Sequence, residues 1–215
     1  MNRRFFTLIL TFLLVSSSVA AAAERDELFA KGRALIDDNC GDCHRATRQG
    51  LQAGIEAVKQ ALELGFADEK AAYKALADGY NTLALVYVIP DSEEQKFVRG
   101  QQERAYLHLL EIAADDAQVR FDYAQFLADP AAKLEHFEAA AKLAPRWAEA
   151  RFALAATLAA AGNVEAALPE ARAAIALADR DHVERYGRRL GELFELAGRP
   201  AEANMLRNEA RRKMD

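Results

Sequence analysis

Cysteine, proline and tryptophan are scarce, with two, five and one respectively among 215 residues. Two cysteines cannot build a disulfide-stapled scaffold, which small exported domains use in place of a large core. Five prolines and 11 glycines exclude collagenous and proline-rich chains, and four of the prolines, with Gly50, Gly65, Gly162 and Gly198, fall where a helix would have to stop. No window alternates β-branched residues with the period of a strand. Leu85 to Ile89 comes nearest, and it lies inside a helical pattern. No GxSxG, HExxH, P-loop or GxGxxG pattern occurs, and the carboxylates follow helix-surface spacing, so no catalytic constellation is visible. Basic residues number 28 against 33 acidic ones and form no concentrated stripe, which argues against nucleic acid as a partner.

The long apolar run that does exist is at the start. Arg3 and Arg4 precede an apolar stretch from Phe5 to Val15, followed by Ser18-Val19-Ala20 and Ala21-Ala22-Ala23 as small-residue cleavage sites. This is the pattern of a secretory signal peptide, residues 1–23, and the run is too short to span a bilayer well. An uncleaved membrane anchor is the competing reading. No cysteine follows the cleavage region for lipid attachment, and no later segment is apolar enough to cross a membrane. The expectation is an exported, soluble, periplasmic protein. Cleavage would remove two arginines and no acid, taking the formal charge from −5 to −7. The end of the chain is slightly basic, with nine basic and seven acidic residues from Arg180 to Asp215. Arg211, Arg212 and Lys213 suit the C-terminus of a helix.

What is abundant is alanine, with leucine, glutamate, arginine and lysine, all good helix formers. From Pro145 to Asp179 the chain predicts two amphipathic helices about a turn at Gly162-Asn163. Ala150, Leu154, Ala155 and Leu158 mark one apolar face, and Ala167, Ala171, Ala174 and Ile175 the other. Similar pairs follow from the rest of the sequence. Glu24 to Thr47 reads as one helix, a turn at Arg48-Gln49-Gly50 leads to Leu51–Leu64, and Gly65 ends it. Asp68 caps a helix carrying Tyr73, Tyr80 and Tyr87 at intervals of seven, hence nearly one line. Pro90 stops that helix, and Ser92 with Gln95 has the form of a capping box. Asp129-Pro130 and Gly198-Arg199-Pro200 mark two more starts. The expected fold is all-α without a β-sheet, an α-solenoid of about five helix-turn-helix pairs near 24–65, 68–113, 116–144, 147–179 and 182–214.

These pairs resemble the tetratricopeptide repeat (TPR). Leu190, Gly191, Phe194, Gly198, Ala203 and Ala210 follow the repeat's pattern in the last pair. Leu154, Ala155, Leu158, Gly162, Ala167, Ala171 and Ala174 do so in the fourth, and Tyr123, Ala124, Leu127, Phe137, Ala140 and Pro145 in the third. Tyr73, Leu76, Ala77 and Tyr80 match the first helix of the second pair, while the first pair fits only through Gly54, Val58 and Ala61. The resemblance implies a superhelix whose concave groove, lined by the first helix of each pair, takes a protein or peptide partner. It thereby implies a non-catalytic scaffold, with a role in assembling an envelope complex as one such use. Tyr73, Tyr80 and Tyr87 are candidates for a partner-binding row; inter-repeat packing is the alternative. Trp147 reads as a packing staple.

Cys40-Gly41-Asp42-Cys43-His44 stands apart. C-x-x-C-H is the attachment signature of c-type haem, in which two thiols bond the vinyl groups and the histidine becomes an axial iron ligand. GRALIDDNCGDCH also resembles the first helix of small cytochromes c. Against this, Met205, Met214, His108, His136 and His182 all lie in other predicted repeat helices, and no haem-wrapping loop follows. Cys40 and Cys43 forming a local disulfide, or packing as thiols beside Leu35 and Ile36, are the structural alternatives, with no cofactor required. A thiol redox site would lack its usual βαβ setting.

Overall fold

The computed structural model describes residues 3–39 and 47–214, with side chains from Ala21 onward. Among the described residues there is no strand. The chain divides into two compact units, Met1–Ile112 and Ala113–Asp215.

The first unit holds two helical hairpins: α1 (Arg3–Asp38) with α2 (Arg48–Glu63), then α3 (Glu69–Thr82) with α4 (Glu93–Ile112). Helix α2 has 16 residues against 36 in α1, so it covers only about 24 Å of it. The pairing ends where Arg25 donates to the Gly65 carbonyl at 2.9 Å and Phe29 stacks on Phe66 at 4.2 Å. Between these helices Gly32 and Gly54 meet backbone to backbone. Buried Ile36, Leu51, Ile55 and Val58 form the core, on which Ala72, Ala75 and Leu76 of α3 pack.

Helix α1 ends earlier than the apolar period from Glu24 to Thr47 predicts. It stops at Asp38, and α2 begins at Arg48 rather than Leu51. The buried Asn39 side chain supplies the physical reason. Its amide donates to the Leu35 carbonyl at 2.7 Å, and its oxygen accepts from the Thr47 amide at 2.5 Å. An amide that bonds both chain ends competes with helix continuation. Thr47 then caps α2, accepting from the Gly50 amide at 3.0 Å.

A second departure lies at the end of α3. Leu83–Tyr87 widens into a π-helical turn. Asp91, with φ 61°, follows it, and the α4 cap holds both in place. Gln95 Nε2 donates to the Ala84 carbonyl at 3.1 Å, while its oxygen accepts from the Asp91 amide at 2.8 Å. Ser92 completes the predicted cap by accepting from the Gln95 amide at 3.1 Å.

The second unit comprises α5 (Ala117–Phe126), α6 (Pro130–Leu143), α7 (Ala148–Ala160), α8 (Val164–Leu177), α9 (Arg180–Leu196) and α10 (Pro200–Met214). They pair as α5–α6, α7–α8 and α9–α10. Asp116 and Asp129 cap α5 and α6 through side-chain bonds of 2.8 and 2.9 Å, the second as the Asp129-Pro130 start predicts. Gly162 and Gly198 adopt φ of 80° and 75°, and each is followed by an amide reaching back to the helix. Asn163 N bonds Leu158 O at 2.9 Å and Arg199 N bonds Phe194 O at 2.8 Å, closing α7 and α9 in the glycine-dependent manner. All eight apolar positions predicted for α7 and α8 are buried. Alanines at 140, 150, 155, 167, 171 and 174 let the helices approach closely, while Phe121, Phe137, Tyr186, Leu190, Phe194 and Leu206 fill the remaining core. Trp147 packs on Phe121 with ring centres 4.6 Å apart, the staple its place suggests.

Candidate functional site

A cleft of the second unit lies across α7 and α9, the first helices of successive hairpins. Its volume is about 470 Å³. Phe152, Ala156 and Ala160 stand at i, i+4 and i+8 on α7 and form one wall, with Arg189 and Leu193 at i, i+4 on α9 opposite. Phe152 is held by stacking on Tyr186, centres 4.3 Å apart and planes at 12°. Lys133 enters from the start of α6. Among the described residues it has no carboxylate partner, whereas Arg189 bonds Glu192 at 3.2 Å. The result is an apolar trough with two cations at its rim. Burial, with Glu149 nearby, raises the Tyr186 hydroxyl above its ordinary value and keeps it neutral beside Phe152.

A second cleft, about 380 Å³, belongs to the first unit. Tyr73, Leu76 and Tyr80 of α3 floor it, with Lys59 of α2 on one side and Gln101, Arg104, His108 and Glu111 of α4 on the other. Two of the three heptad-spaced tyrosines thus share one cleft. Tyr87 is not among its lining, because the π-helical turn breaks the α-helical register before it. At one end the His108 ring lies 3.9 Å from that of Tyr73, and its nitrogens lie 3.7 Å from Glu69 and 3.5 Å from Glu111. At the other, Lys59 bonds Glu56 at 2.9 Å, which raises the lysine above its usual value. Burial raises both tyrosine hydroxyls, with Glu69 and Glu111 adding to the effect at Tyr73.

Cys40, Cys43 and His44, the candidate haem or disulfide residues, lie outside the described residues. Of the other histidines, His136 faces the Arg120 guanidinium at 3.4 Å and sits edge-on to Tyr123. Burial and that cation lower its pKa. His182 stands beside Asp179 at 2.5 Å, at the cap of α9. Among the described residues no group of three or more His, Cys, Asp or Glu is placed to hold a metal ion, and none of their helices is long and apolar enough to cross a membrane.

No family model and no curated protein matches this sequence. Solved structures of MamA match its fold. One crystal structure of MamA aligns with a TM-score of 0.56 at 14% identity, over 77% of this chain and 90% of that one. A single-site mutant of MamA gives 0.57 at 17%, over 93% and 99%. MamA AMB-1 gives 0.55 at 15%, over 90% and 99%. The fold is of TPR type.

Within a TPR-type fold the α7–α9 trough occupies the face made by first helices. Sequence periodicity did not single out its residues. It marks the stripe buried between helices, and Phe152 and Leu193 sit on the flank of that stripe. Lys133 is 19 residues before Phe152 and has no local signal at all. A faint one exists for α7, where Phe152, Ala156 and Ala160 repeat every four residues beside the core face.

Proposed function

We propose that this protein is an exported, non-catalytic scaffold that holds a segment of another protein along α7 and α9, in the service of an envelope assembly. The trough carries this reading. Its half-buried apolar walls, with Lys133 and Arg189 at the rim, suit an apolar segment bearing acidic side chains. The TPR-type fold supports it by presenting first helices as an open face.

Export is supported by the extent of the first hairpin. Among the described side chains, Arg25 and Phe29 contact the residues that follow α2, and α2 is too short to cover much of the helix before them. Removal of residues 1–23 therefore leaves the α1–α2 pairing intact. The expected mature species is periplasmic.

The test is affinity capture from envelope extract with mature protein and with the Arg189→Glu, Leu193→Glu double variant. A defined partner enriched by the first and lost by the second supports the scaffold. Equal recovery by both, or recovery of nothing above background, refutes it.

A second reading keeps covalent haem c on Cys40 and Cys43 with His44 as axial ligand. It is favoured by the sequence itself, in which the chain's two cysteines stand three apart with His44 directly after the second. The described residues fit it incompletely. His108 is the one described histidine of that unit, and it is engaged by Tyr73, Glu69 and Glu111 near the far end of α4. Absorbance and intact mass of protein matured with the haem-attachment machinery decide the matter. A Soret band with added mass supports haem, a two-proton deficit restored by reductant supports a disulfide, and colourless protein of polypeptide mass excludes both.

A further inference from the structure

The cleft over Tyr73 and Tyr80 is polar at both ends, and the two ends differ in sign. Glu111 and Arg104 both line it from α4, seven residues apart, which places them nearly in line and about 10 Å from each other along the helix axis. Glu69 joins Glu111 at one end, the two carboxylates sharing one imidazole. At the other end Lys59 is engaged by Glu56, but Arg104 has no carboxylate partner among the described residues. Between the ends, the half-buried Tyr80 ring with buried Leu76 and Ala105 offers an apolar floor beside Tyr73, whose ring meets His108, and the Gln101 amide offers both a donor and an acceptor.

We infer that this cleft binds a short peptide with free termini, about three residues long, with an apolar or aromatic middle residue. Three extended residues span about 10 Å, the separation of the charged ends. The peptide ammonium lies at Glu69 and Glu111 and its carboxylate at the Arg104 guanidinium. The middle side chain rests on the Tyr80 ring, and Gln101 meets the peptide backbone. A ligand of one charge sign, such as a polyanion or a cationic helix, would meet repulsion at one end. The site involves neither α7 nor α9, so it stands or falls apart from the trough proposed above.

Titration calorimetry of the mature protein with the tripeptide Ala-Phe-Ala tests this. The free peptide is expected to bind, and N-acetylation or C-amidation each to weaken binding about tenfold, the loss of one charge-assisted contact. Arg104→Gln should abolish the preference for free acid over amide while keeping that for free amine over acetyl, and Glu111→Gln should do the reverse. Both side chains are exposed, and circular dichroism of each variant should match the parent. Equal binding of the free and doubly blocked peptides, the same sequence binding as tightly inside a longer blocked chain, or no binding at millimolar peptide would each overturn the inference.

Discussion

Gly32 and Gly54 face each other across the first hairpin with no room for a methyl group. A Cβ on Gly32 would lie 2.8 Å from the Gly54 carbonyl oxygen, and one on Gly54 would lie 2.9 Å from that of Gly32. Both obstacles are backbone, so neither can turn aside. Gly54→Val should therefore push α1 from α2 and destabilise the protein by about 1–3 kcal/mol. Urea denaturation measures this. A midpoint equal to wild type would show that the helices are not in contact there.

The Gln95 side chain ties the π-helical turn to the first turn of α4, reaching both Ala84 and Asp91. Gln95→Leu removes both hydrogen bonds at a cost of about 1–3 kcal/mol. Hydrogen exchange should rise in residues 84–91 before it rises in the body of α3. Unchanged exchange there would mean that the wide turn is held by its apolar contacts alone.

Acid should loosen the second unit. Arg207 holds the Glu195 carboxyl below its ordinary value of 4.5, and Arg199 does the same to Glu202. Since the folded state binds these protons less readily than the unfolded chain, the stabilisation is present above the ordinary value. It drains away as pH falls through the depressed ones. The wild-type melting temperature should thus fall more steeply between about pH 5 and 3 than that of Arg207→Gln. Parallel curves would contradict the pairing.

The fold was legible wherever its determinants are local. Asp68, Asp116 and Asp129 cap the next turn, and Gly65, Gly162 and Gly198 end helices by their own backbone freedom, so each could be read from neighbouring residues. The buried stripe of α7 and α8 repeats at the helical period and was equally plain. The end of α1 was not, because Asn39 stops it by bonding Thr47, eight residues on. Nor was the π-helical turn, since Leu83–Tyr87 carries no local signal for it and the side chain that bonds it, Gln95, comes from the next helix. That turn also explains the tyrosines. Tyr73 and Tyr80 share a cleft as their spacing implies, while Tyr87 falls beyond the break in register. Arg104, His108 and Glu111 join them only once α4 folds back on α3, a relationship that no periodicity within either helix encodes.

The scaffold reading is tested most directly by a photo-reactive amino acid placed at position 193 in the trough, with position 165 on the exposed start of α8 as control. Irradiation in intact cells should give one discrete adduct from position 193. Arg189→Glu should abolish it, and position 165 should give none. The same adducts from both positions, or none from position 193, would contradict the claim that α7 and α9 hold a partner.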